Sequence, residues 1–174
     1  WEKLNDLPAK GLYEHGYAPL DTILDMVSSQ RPDPPRSITS NHRVLIAPSW
    51  GSEGLIENGA EQLVESLLGA GHHVTLRVHP QSRVTSAKNI KLLRSMFENH
   101  PKFAMDMNNA IFDSLIKADV LISDWSGISL EFAFGLERPV IFIDVPKKIN
   151  NSRYTELKNI PIEISIRDKI GMRL

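Results

Sequence analysis

The residues best equipped for chemistry in this sequence are those that would hold an anion. Ser126 and Gly127 follow the apolar run Val120, Leu121, Ile122 and precede the largely apolar stretch Ile128 to Leu136. That pattern reads as strand, tight turn and helix. It aims backbone N–H groups and a positive dipole end at one point, which suits phosphate above all. Ser126 is a good N-cap, and Gly127 lets a ligand come close to the backbone. Ordinary helix capping would use the same two residues, but their place at a strand end favours the anion site. Ser123, in the same turn, is counted with the phosphate-binding residues. Asp124 would repel a diphosphate at short range, so a structural role, an Asx-type bond to the next turn, fits it better.

His79 stands at the end of the run His73 to Val78, beside Pro80. An imidazole there can donate to a phosphate oxygen or protonate a leaving group near neutral pH. A plain surface histidine is the alternative, and His15, His42 and His100 have no context that favours more. His72 and His73 sit at the wrong end of the same strand. Arg77 could reach phosphate, although a strand arginine is more often an ion-pair partner. Glu131 lies five residues after Ser126, about one and a half turns into the helix, where it could bind ribose hydroxyls or pair with Arg138. Ser49, Trp50 and Gly51 sit in a loop after another strand and are candidate loop contacts.

Other chemistries find no support. There is no cysteine, hence no disulfide framework and no thiolate metal site. No His-x-x-x-His pair and no carboxylate cluster has metal-ligand spacing, so neither a metal nor a cofactor is expected. The glycine fingerprints of dinucleotide dehydrogenases and P-loop NTPases are absent, as is a G-x-S-x-G nucleophile elbow. The formal net charge is −1, which argues against a nucleic-acid partner held by a basic face. No apolar run approaches the ~18 residues of a membrane span.

The elements that must position these residues alternate. With 174 residues and 41% apolar content, one domain plus a flanking segment is expected. Residues 1–42 read as an interdomain linker segment, with a short helix at Leu20 to Val27 and a proline-rich stretch from Arg31 to Arg36. Residues 43–174 read as one nucleotide-binding domain, a fragment of a longer protein. Strands are expected at Val44 to Ala47, His73 to Val78, Phe103 to Met107, Val120 to Ile122 and Val140 to Ile143, with a further one at Ile160 to Ile164. Helices are expected between them: Ile56 to Leu68, Ile90 to Phe97, Ile111 to Ile116 and Ile128 to Leu136. Gly135 and Pro139 punctuate the last of these, and Arg167 to Leu174 looks like a helix cut short. Such alternation means βαβ units: an α/β fold, a Rossmann-like parallel sheet with helices on both faces. Ligands then sit at the carboxyl ends of the strands.

The stretches Val44 to Gly51, Val74 to Ser82, Ala118 to Gly127, and Glu131 to Phe134 with Arg138 to Phe142 occur in order. Together they resemble the carboxyl-terminal half of the CDP-glycerol glycerophosphotransferases of teichoic-acid synthesis. Gly16 to Asp21 is similar to the segment that joins the two halves of those enzymes. The resemblance runs from about Tyr13 to Tyr154. It implies a two-domain GT-B architecture, of which this chain is mainly the donor-nucleotide half. It also implies that His79 and the Ser126–Gly127 helix start hold the diphosphate of a CDP-linked donor, with Glu131 near the ribose. Partners implied are a lipid-linked or glycan acceptor and an amino-terminal domain that carries a further catalytic histidine. The isolated fragment is expected to be inactive, and the enzyme to be cytoplasmic, visiting the inner face of the membrane. Lys147, Lys148, Arg153 and Lys158 form a basic cluster that could help. The Asp124 to Glu131 run also resembles that of UDP-N-acetylglucosamine 2-epimerases, which keeps a UDP-sugar enzyme open. A non-catalytic α/β module such as a receiver is the third reading, although Asp106, Asp124 and Asp144 are too scattered for its acidic cluster.

Overall fold

The fold comes from a computed structural model of the chain, which describes residues 6–11, 13, 15–29, 41–108, 112–147, 149, 153–156 and 160–174. In chain order the elements are α1 (Ala18–Ser29), β1 (Arg43–Ile46), α2 (Ala60–Gly69), β2 (His73–Arg77), α3 (Ser82–Thr85) and α4 (Ala87–Phe97). Then come β3 (Phe103–Asp106), α5 (Asp113–Lys117), β4 (Val120–Ser123), α6 (Ile128–Leu136) and β5 (Val140–Phe142). A 3₁₀ turn (Tyr154–Glu156), α7 (Ile162–Ser165), α8 (Arg167–Ile170) and β6 (Gly171–Arg173) complete the chain.

The six strands form one parallel sheet in the order β3-β2-β1-β4-β5-β6. Its central strands are apolar on both sides, as burial under helices requires. Val44 and Ile46 face α2 and α4 and pack with Val74, Leu76, Val64, Leu68, Ile90 and Leu93. Leu45 and Leu121 face the other way, onto a second cluster with Ile23 of α1, Leu115 of α5 and Phe132 of α6. After β1 the chain moves outward to β2 and β3, then crosses back to β4 on the other side of β1. The order therefore reverses between β1 and β4, and the loops leaving these two strands diverge to opposite faces. A crevice opens at such a point, at the carboxyl ends of the strands.

Helix α1 is docked rather than detached. Its Ile23 is fully buried, and a Cβ on Gly135 of α6 would lie 2.7 Å from Ile23 Cγ2. Gly135 therefore does not punctuate α6. It permits close approach of α1, and the helix runs on to Leu136, where Glu137 at φ 51° turns the chain. The expected helix from Ile56 starts only at Ala60, because Gly59 takes φ 125° at its N-cap; Ile56 is buried in the preceding turn.

Of the carboxyl-terminal expectations, the helix from Arg167 is met only as far as Ile170, in α8, and the strand at Ile160 to Ile164 is not. Ile162 to Ser165 form a helical turn despite the alternating sequence; Pro161 is its N-cap, and its carbonyl accepts the N–H groups of Ile164 and Ser165. The last strand is Gly171–Arg173, reached through the short α8. A glycine is required there, since a Cβ would sit 2.4 Å from the Val140 carbonyl oxygen in the neighbouring strand. Ile111, the proline-rich stretch from Arg31 to Arg36, Lys148 and Lys158 lie outside the described residues.

Candidate functional site

Asp124 ties the loop after β1 to the turn after β4. It is 1% exposed, and its two oxygens accept backbone N–H groups from the facing loop: Ser49 N at 2.6 Å and Leu55 N at 3.0 Å. It caps the loop after β1 rather than the next turn of its own. Ser123 is fully buried, and its hydroxyl donates to the Ala47 carbonyl at 2.7 Å. The expectation that Ser123 touches phosphate is therefore corrected: its hydroxyl is spent tying β4 to the end of β1. Ser49 likewise contributes its backbone to Asp124.

Beside these turns lies a cavity of about 410 Å³. It brings together His79, Arg77, Ser126, Gly127 and Glu131, which the sequence singled out, with Tyr17, Pro48 and Asn108, which it did not. Tyr17 lies in the turn before α1, where only turn chemistry was legible. Asn108 follows β3, where its N–H donates to Asp106 Oδ1 at 2.9 Å. A larger cavity, about 580 Å³, opens over the amino-terminal halves of β1, β2 and β3 beside α5. It lies away from the strand reversal and from the helix start, so the smaller cavity is the better site.

Each side chain in the smaller cavity has a definable state. The Gln81 N–H donates to His79 Nδ1 at 3.1 Å, so the neutral ring carries its proton on Nε2. Trp50 lies beside this imidazole, with ring centroids 6.3 Å apart. Gly127 is the N-cap of α6, with φ −61° and no atom within 4 Å of a would-be Cβ. Ser126 was expected to cap the helix with its side chain. It does not: no side-chain cap bond forms, and its carbonyl accepts Ser129 N–H and Oγ–H instead. Gly51, at φ 135°, shapes the turn after β1 but does not line the cavity.

Charge is distributed across the mouth. The Arg77 guanidinium is held below its ordinary range by burial, an effect opposed by Asp106 and Glu131. It remains a cation, and it donates to Ser114 Oγ at 3.4 Å. Glu131 accepts the Tyr17 phenol at 2.7 Å. Arg138, the alternative partner for Glu131, donates to the carbonyls of Ile116 and Ala118. Of the basic cluster, Arg153 is engaged with Glu156 at 2.8 Å. Among the described residues no group of acidic and histidine side chains could hold a metal ion.

Residues 10–154 match the family model described as CDP-glycerol:poly(glycerophosphate) glycerophosphotransferase. The chain belongs to that family. Similar solved structures include the wall teichoic acid polymerase TagF. A histidine-to-asparagine variant soaked with CDPG is 21% identical, with TM-score 0.36, over 72% of this chain and 27% of that one. The same variant in another structure is 18% identical, with TM-score 0.42, over 75% and 33%. KpsC of Thermosulfurimonas dismutans, a beta Kdo 2,7 transferase, is 14% identical, with TM-score 0.39, over 76% and 44%. The chain thus spans less than half the length of each of these structures. No curated protein matches it in sequence.

Proposed function

We propose that this glycerophosphotransferase-family chain is the donor-nucleotide half of a GT-B transferase. The whole enzyme would move a glycerol-phosphate-like group from a CDP-linked donor to a polyol or glycan hydroxyl in cell-wall polymer synthesis. The supporting observation is the convergence of His79, Arg77 and the Ser126–Gly127 start of α6 on one cavity at the strand reversal. In this reading the acceptor oxygen attacks the distal phosphorus of the diphosphate and CMP leaves. Charge grows on the oxygen that leaves with CMP. The α6 amides and the Nε2–H of His79 would stabilise it, and Arg77 adds a fixed positive charge. Glu131 would accept ribose hydroxyls. The acceptor supplies its own hydroxyl, and a second histidine would come from an amino-terminal domain, joined through the residues ahead of β1.

A lipid-linked acceptor would bring the enzyme to the inner face of the membrane by peripheral contact. No helix among the described residues is long and apolar enough to cross a membrane. The test of the donor is calorimetric titration of CDP, UDP and cytidine into the full chain. CDP should bind more tightly than UDP and than cytidine. UDP bound in preference to CDP would replace this reading with a UDP-sugar enzyme on the same fold.

A further inference from the structure

Beyond residues 10–154, at the start of α8, stands Arg167. Its side chain is 3% exposed and carries a formal positive charge. Nη1 donates to Asp144 Oδ1 at 2.8 Å, while Nε and Nη2 find no hydrogen-bond partner among the described residues. The guanidinium carbon lies 4.1 Å from the ring centre of Trp125 and 4.6 Å from that of Phe142. A cation desolvated to this degree is costly, and an apolar side chain of similar volume fills such a place more cheaply. Its value must lie in geometry: a planar, rigid group stacks on aromatic rings as lysine does not.

What it stacks on is the turn that leads into α6. Trp125 stands between Asp124, which anchors the loop after β1, and Ser126, which leads into α6. The indole N–H donates to the Val145 carbonyl at 2.9 Å. Strand β6 pairs with β5, and Asp144 N–H donates to the Leu174 carbonyl, so the carboxyl-terminal segment is fastened to the same edge. Arg167 reaches from that segment across the end of β5 to the turn after β4.

We propose that Arg167 is a positioning residue for the diphosphate site: it holds Trp125, and through Trp125 the backbone N–H groups that open α6. This rests on the reading that a diphosphate binds there. A purely structural Arg167 would lower stability and leave ligand preference unchanged. The experiment compares Arg167→Met and Arg167→Lys with the unaltered full chain, well below their melting temperatures. CDP and cytidine are titrated into each, and amide exchange is followed at residues 125–128. Arg167→Met should weaken CDP about tenfold while cytidine changes by less than about twofold. Arg167→Lys, which restores the ion pair but not the planar stack, should behave like Arg167→Met. Exchange should quicken at residues 125–128 in both. Equal weakening of CDP and cytidine, or unchanged exchange in that turn, would overturn the proposal. If the unaltered chain binds no CDP, the nucleotide reading falls on its own. The exchange data then decide whether Arg167 orders the turn. If Arg167→Met does not fold, Arg167→Lys and Trp125→Phe carry the same comparison.

Discussion

The Tyr17 phenol donates a 2.7 Å hydrogen bond to Glu131 Oε1, so the turn ahead of α1 reaches into the cavity beside the start of α6. The bond raises the Tyr17 pKa, first because the carboxylate accepts the proton's hydrogen bond, then through burial and the Glu131 charge. A raised folded-state value means that the bond's stabilisation is complete below about pH 10, where an unfolded phenol is still protonated. It is lost as pH climbs through the folded value. Phenolate absorbance should therefore show a late ionisation that Tyr17→Phe removes. Because Tyr17 is 58% exposed, the substitution should cost less than about 1 kcal/mol. If the ionisation that Tyr17→Phe removes falls at the ordinary phenol value, about pH 10, the bond does not persist in solution.

Asp124 is the residue whose loss should most disturb the crevice without touching ligand. Asn keeps one acceptor but turns an NH₂ group toward a backbone N–H, at Ser49 or Leu55. Such a buried mismatch costs about 1–3 kcal/mol. Asp124→Asn should lower the chemical-denaturation midpoint accordingly, and amide exchange at Ser49 and Leu55 should accelerate. Unchanged protection at both amides would mean that the two loops are held together by something else.

Much of this frame was legible in the sequence, for stated reasons. The central strands are unbroken apolar runs such as Val44 to Ile46 and Val120 to Ile122, as a doubly covered parallel sheet requires. The cavity residues were legible because His79 ends the strand stretch His73 to Val78, and Ser126, Gly127 and Glu131 follow Val120 to Ile122 into the next helix. Ser123 was misjudged because a serine at a strand end looks alike whether it faces a ligand or bonds across to Ala47. Tyr17 was missed because its partner is 114 positions away, beyond any local pattern. Ile160 to Ile164 alternates like a strand, yet Pro161 is the N-cap of a helical turn. Gly171 marks the true strand only through close contact with Val140 and Phe142.

Gly127 separates ligand binding from stability. Its φ of −61° suits any residue, and its Cβ position is open. Gly127→Val should change stability by no more than about 0.5 kcal/mol, the ordinary range for a surface site. It should nonetheless block approach to the α6 amides and abolish CDP binding. Ser126→Ala should be equally mild in stability, since the Ser126 hydroxyl caps nothing. Thermal melts with and without CDP check both, and a normal CDP-induced shift in Gly127→Val would place the anion elsewhere.

The most direct measurement of the central claim is the paired titration of CDP and cytidine into His79→Ala, with His72→Ala as control. His79 lines the cavity with its proton held on Nε2, whereas His72 lies before the opposite end of β2, where its Nδ1 accepts the His42 N–H. Loss of one charge-assisted hydrogen bond to diphosphate, about 1.5–3 kcal/mol, should weaken CDP by about one to two orders of magnitude. Cytidine, which has no phosphate, should bind His79→Ala as it binds the unaltered chain, and His72→Ala should change neither ligand. Equal weakening of CDP and cytidine in His79→Ala, or no weakening of either, would contradict a diphosphate site at the β1–β4 crevice.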